Sequence, residues 1–136
     1  MPYYRLFYHF VWSTHQRLPL ITDNNRDHLH RLMHAKAEAL RGVVQALNSM
    51  PDHVHLVVAV PPAIALSTFV GQIKGSASHL ASRLPNAEPF KWQNEYGVLS
   101  ISERHVPIDV QYVIEQQKHH AANTINQRLE LSVGST

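Results

Sequence analysis

The stretch MPDHVHLVV, residues 50 to 58, sets two histidines one residue apart inside an apolar run. Strand side chains alternate between faces, so His53 and His55 share one face while Val54, Leu56, Val58 and Val60 take the other. Two neutral imidazoles side by side are a pair of nitrogen ligands for a divalent ion. They fit as readily a pair of half-buried polar residues on a sheet, and an isolated His-x-His has a high false-positive rate. A partner for them stands about sixty residues on, in PIDVQYVIEQQKHH. At roughly 100° per residue, Val110, Ile114, Gln117 and Ala121 form one helical face. Tyr112, Gln116 and His119 cluster nearly opposite, with Ile108 near their side. The first face is expected to be core and the second exposed. Spacing alone leaves Tyr112 open to a second reading, as a tyrosine reaching for water at the helix edge.

The chemistry of the set is specific. Two imidazoles and the amide oxygen of Gln116 can hold a divalent ion and leave positions free for a substrate oxygen. Without a thiolate or carboxylate among them, structural zinc is the poorer match. Mg2+ or Mn2+ would act there as a Lewis acid on a phosphodiester. A tyrosine hydroxyl, with an ordinary pKa near ~10, is a weak nucleophile until such a phosphate is polarised and aligned. Tyr112 and Gln116, one helical turn apart, would arrive at the site together.

The elements that must position these residues follow from periodicity. Tyr4, Leu6, Tyr8, Phe10 and Trp12 alternate with Arg5, Phe7, His9 and Val11, a strand with one strongly apolar face. Asp23 or Asn24 can cap a helix carrying Leu29, Leu32, Met33, Ala37 and Leu40, with Gly42 as terminator. Val43–Asn48 and Val54–Val60 read as strands, and the link SMPDH suits an antiparallel hairpin. Ala65–Leu84 is expected to be helical, with Phe69, Ile73, Ala77, Leu80 and Leu84 on its inner face and Gly71 and Gly75 as weak points. VLSIS is a short strand, and Pro107 suits the first turn of a last helix reaching at least Ala122. The tail RLELSVGST reads as loose. The order β-α-β-β-α-β-α predicts an α+β fold: a ferredoxin-like (RRM-like) antiparallel sheet with helices, the C-terminal helix carrying the nucleophile. With 136 residues and no linker or repeat, residues 1–136 are expected to form a single domain.

Composition narrows the class. Apolar residues at 44% and charged residues at 16% are those of a folded globular chain and not of a disordered one. The absence of cysteine excludes disulfides and thiolate metal sites and favours a cytoplasmic setting. No apolar run approaches the ~20 residues of a membrane span, and MPYYRLFYHF lacks the pattern of a secretion signal. A formal charge of +2 permits a nucleic-acid partner without demanding one. His30 and His34, one helical turn apart, lack the glutamate of a metalloprotease motif and read as a solvated helix face.

The chain resembles the HUH-superfamily single-tyrosine transposases of small bacterial and archaeal insertion sequences, including their repetitive-palindrome-associated relatives. His53, Val54 and His55 supply the His-hydrophobic-His signature, and LFYHFVWSTHQR, GQIKGSASHL, FKWQNEYGVLSIS and QYVIEQQ follow the family pattern in order. The resemblance implies a ferredoxin-like fold and an attack by Tyr112 on a phosphodiester of single-stranded DNA. That attack would leave a 5′-phosphotyrosine and free a 3′-hydroxyl. It implies His53, His55 and Gln116 as metal ligands, a DNA hairpin as recognition element, and a homodimer, in some members with the tyrosine helix exchanged between subunits. Arg17, Lys74, Arg104 and His119 are candidate DNA contacts. The chain departs from the pattern at His15, where a lysine would be expected. A ferredoxin-like nucleic-acid-binding module without catalysis and a metal-dependent phosphodiester hydrolase are the rival classes; the second leaves Tyr112 without a role.

Overall fold

The computed structural model describes residues 4–116 and Glu130. Its elements are β1 (Phe7–Ser13), α1 (Arg26–Ala39), β2 (Val43–Met50), β3 (His53–Ala59), α2 (Leu66–Arg83), β4 (Gly97–Ile101) and α3 (Val106–Ile114), with 3-10 turns at His15–Arg17 and Glu103–His105. The order is the expected β-α-β-β-α-β-α. The four strands form one antiparallel sheet in the order β2-β3-β1-β4, so β3 lies between β1 and β2 as in a split βαβ arrangement.

The β2–β3 turn is tighter than the sequence suggests. The strands pair as far as Met50 with His53, leaving Pro51 and Asp52 as the whole connection. The strand β1 begins at Phe7, three residues later than expected.

The two faces of the sheet are covered differently. On one face Phe10, Trp12, Val54, Leu56, Val58 and Val60 pack against Leu29, Met33 and Ala37 of α1 and Phe69, Val70, Ile73 and Ala77 of α2. This is the main core, and it holds the aromatic side of β1 that the alternation picked out. The other face carries a smaller apolar cluster of Phe7, Ala46, Val57, Val106 and Val113, where α3 lies on the sheet. That cover explains why β1 is buried on both sides, although its alternation marked only one face as apolar.

The N-cap of α1 is Asn25, one residue beyond Asn24, and its Oδ1 accepts from the Thr22 N–H at 2.8 Å, closing the preceding turn. At its other end the terminator differs in kind from the expectation. Arg41 takes the left-handed conformation (φ 70°), while the Gly42 N–H donates to the Ala37 carbonyl at 2.9 Å. Gly42 is needed for space: a Cβ there would stand 2.8 Å from the Phe69 ring.

The last helix is rotated relative to the sequence expectation. Its buried residues are Val106, Asp109, Tyr112 and Val113, followed by Gln116 just past its end, whereas Ile114 is 59% exposed and Ile108 61%. Tyr112 and Gln116 therefore face the sheet, and Ile114, read as core, faces out. The physical reason is that α3 lies on a patch of sheet that presents histidines, so its buried side must carry polar partners. Residues 117–122, to which the expected helix extended, lie outside the described residues, as does His119.

Candidate functional site

Strand pairing brings the first histidines together. On β3, His53 and His55 point to the α3 face, and Val11 of β1 lies opposite His55. His9, two residues earlier on β1 and opposite Val57, is thus a diagonal same-face neighbour of His55. Its Nε2 lies 2.8 Å from His55 Nδ1, and its Nδ1 lies 2.8 Å from Asp109 Oδ2 on α3. The other ligand candidate has a shorter tether: His53 Nδ1 lies 2.6 Å from Oδ1 of Asp52, whose Oδ2 accepts from Arg17 Nη1 at 3.4 Å. Each histidine is therefore held at Nδ1 by a carboxylate, directly or through His9, and turns Nε2 the other way.

The Nε2 atoms converge on Glu130, whose Oε1 lies 2.9 Å from that of His55 and 3.1 Å from that of His53. Gln116 Nε2 lies 2.8 Å from His53 Nε2. The Tyr112 hydroxyl donates to Glu130 Oε2, and its ring meets His55 edge-on with centroids 5.9 Å apart. Helix α3 is fixed at this height by Asn48, directly opposite His55 on β2, whose Nδ2 donates to the Val113 carbonyl at 2.9 Å.

The electrostatics suit a cation. Burial pulls His55 down to about 4, so at neutral pH its ring is uncharged with a lone pair to give. Burial acts the same way on His53, but the Asp52 and Glu130 carboxylates outweigh it and leave that ring above its ordinary value. Burial would raise Glu130, yet hydrogen bonds from His53 and His55 hold its carboxyl well below the usual range. Two imidazole nitrogens and a carboxylate oxygen, all within 4.8 Å of one another, form a group that could hold a divalent metal. The amide oxygen of Gln116 is buried and has no hydrogen-bond partner among the described residues. An orphaned oxygen beside such a group is what a further ligand looks like before it is engaged, and a half-turn of the amide exchanges it with Nε2.

Of the residues singled out from sequence, His53, His55, Tyr112 and Gln116 are brought together. Arg17 sits at the rim, engaged with Asp52. Lys74 is buried, and its ammonium donates to the carbonyls of Gln93 at 2.7 Å and Glu95 at 3.2 Å, while Trp92 Nε1 donates to the Lys74 backbone carbonyl. It braces the loop before β4, and burial lowers it to about 8. Arg104 is exposed in the turn before α3. His30, read as solvated, is half-buried with Nε2 2.7 Å from Ser49 Oγ; His34 is exposed beside Glu38. Glu130, His9, Asp109 and Asp52 were missed. The tail gave no periodic signal around Glu130, and His9 becomes visible only when β1 is known to lie beside β3.

A ferredoxin-like sheet with a His-Val-His strand facing a tyrosine-bearing helix defines an HUH-type single-tyrosine transposase. The chain belongs to the IS200-like transposase family, whose model matches residues 2–130. It is 29% identical over 120 residues to the ISDra2 transposase TnpA of Deinococcus radiodurans, covering 84% of this chain and 85% of that protein. A crystal structure of a Deinococcus radiodurans R1 protein described as a transposase superposes with a TM-score of 0.66 at 30% identity, over 85% of this chain and 93% of that one. The fold is also that of a REP-associated tyrosine transposase solved with a REP hairpin, with a TM-score of 0.65 at 18% identity over 88% of this chain and 74% of that one. No helix among the described residues is long and apolar enough to cross a membrane.

Proposed function

We propose that this chain is a metal-dependent transposase that cleaves and rejoins single-stranded DNA through Tyr112. The observation that carries the reading is the meeting of Tyr112, His53, His55, Gln116 and Glu130 at one buried point between β3 and α3. His53 and His55 would hold the ion through Nε2, with Glu130 and the Gln116 amide oxygen completing the set. A divalent ion, Mg2+ or Mn2+, supplies Lewis-acid polarisation of the scissile phosphate when bound.

The chain's own residues do the rest. The Tyr112 hydroxyl passes its proton to Glu130 Oε2, the acceptor it already faces, and its oxygen bonds to phosphorus. The bond from phosphorus to the 3′ oxygen breaks, that oxygen takes up a proton from solvent, and a 5′-phosphotyrosine remains. One phosphoester replaces another, so a later 3′-hydroxyl can reverse the step without ATP. A hairpin in the DNA is supported as the recognition element by the REP-associated neighbour, whose structure holds one. Exposed Ile108 and Ile114 on α3 support a second copy of the chain as partner.

The test is incubation with Mn2+ or Mg2+ and labelled single-stranded DNA libraries containing hairpins. The expected result is a protein–DNA adduct that survives denaturant and is absent with Tyr112→Phe. Cleavage without an adduct would make the protein a hydrolase, and binding without cleavage a recognition module.

A further inference from the structure

We propose that Asp109 and His9 form a buried positioning relay that decides which nitrogen of His55 is free to take a metal ion; the inference rests on the proposed metal site. Neither residue has a part in the chemistry proposed so far. Asp109 lies on α3 and His9 on β1, and His9, His55 and Asp109 are 2%, 0% and 5% exposed. Their polar atoms run in a row, Asp109 Oδ2 to His9 Nδ1 at 2.8 Å and His9 Nε2 to His55 Nδ1 at 2.8 Å.

The Asp109 end of the row favours one direction. A carboxylate only accepts, so His9 donates to Asp109 from Nδ1. With an ion on Nε2 of His55, that ring's proton sits at Nδ1 and serves His9 Nε2, which is then an acceptor. Without an ion, Glu130 Oε1 at 2.9 Å accepts from the same Nε2 and draws the proton the other way, so the row favours the metal-bound arrangement over the empty one. A row running the other way would put the His55 proton on Nε2 and close that nitrogen to a metal. A carboxylate two rings away thereby orients the ligand, as outer partners of metal-bound histidines do. Because Asp109 precedes Tyr112 by one turn, the same contact also seats the tyrosine helix against β1. His53 needs no such relay, since its neighbour Asp52 reaches Nδ1 directly.

The test uses the whole chain and metal ions without DNA. Titration of Mn2+ followed by electron paramagnetic resonance is expected to show His9→Leu binding about 10–100-fold more weakly than the natural chain. His9→Gln, whose amide oxygen can reach toward the place of Nε2, recovers most of that loss, with circular dichroism checking the fold of both. In the Mg2+-loaded natural chain, long-range 1H–15N spectra are expected to show His9 protonated at Nδ1 and bare at Nε2. Unchanged Mn2+ affinity in His9→Leu, equal losses in the Leu and Gln variants, or a proton on His9 Nε2 overturns the relay and leaves the metal site standing. No Mn2+ binding by the natural chain overturns both. The spectrum needs no variant, so it decides the matter should His9→Leu not fold.

Discussion

Gln116→Met separates the cost of building the site from its use. Gln116 is fully buried, its Nε2 lies 2.8 Å from His53 Nε2, and its Oε1 has no partner among the described residues. An unsatisfied buried polar atom costs about 1–3 kcal/mol, whereas the net worth of a hydrogen bond is about 0.5–1.5 kcal/mol. Methionine has a similar length and no polar demand, so the substitution relieves the unsatisfied oxygen while giving up only the weaker hydrogen bond. His53 keeps Glu130 at 3.1 Å in the variant. Urea unfolding in EDTA is expected to find the variant between equal to the natural chain and about 2 kcal/mol more stable. Metal shifts the balance toward the natural chain. At a Mn2+ concentration of 100 Kd the natural chain gains about 2.7 kcal/mol; a variant binding tenfold more weakly gains about 1.4 kcal/mol at the same concentration. As Mn2+ is added the natural chain should therefore gain about 1.3 kcal/mol on the variant, whatever their difference in EDTA. A variant less stable than the natural chain by more than about 1 kcal/mol in EDTA would refute the claim that Oε1 is a cost. Equal stabilisation of both by Mn2+ would remove Gln116 from the ligand set.

Lys74 gives a pH signature. Burial lowers it from 10.5 to about 8, so the unfolded chain binds the extra proton between those values and native stability should rise over that window relative to Lys74→Met. The effect is at most about 3 kcal/mol, reduced by what the two loop carbonyls return, and stability measured from pH 7 to 10.5 checks it. A fall across that window would show that the lysine is stabilised as a cation. At Gly42, alanine would bring a Cβ to 2.8 Å from Phe69 Cζ and 3.1 Å from the Ala37 carbonyl. Calorimetry of Gly42→Ala should find a loss of about 1–3 kcal/mol, with Mn2+ affinity unchanged because the contact lies on the opposite face of the sheet.

The element order and the main core were legible because they rest on local pattern. Alternation in β1 and β3 and the helical spacing of α1 and α2 repeat a burial signal every two or every three to four residues, and one face of each meets the large core. Boundaries were less so: the pairing of Met50 with His53 shortens the hairpin turn to two residues, a matter of strand register that composition does not carry. Helix α3 misled for a physical reason. Its inner face was read from apolarity, yet it is buried against histidines, so Asp109, Tyr112 and Gln116 turn inward and Ile114 outward.

By itself the sequence determined the α+β order, the His53–His55 pair on one face of a strand, and Tyr112 and Gln116 one turn apart on the last helix. Those facts depend on the chain's own period. Only the tertiary structure decided that Glu130 closes the site, that Asp52 and the Asp109–His9 row hold the two imidazoles, and that Lys74 braces a loop. These contacts join residues up to 100 positions apart through the antiparallel pairing of β1 with β3 and the docking of α3. No local pattern encodes such distances. They exist because the central strands must pair side by side, which carries His9, His55 and the helix above them to a common point.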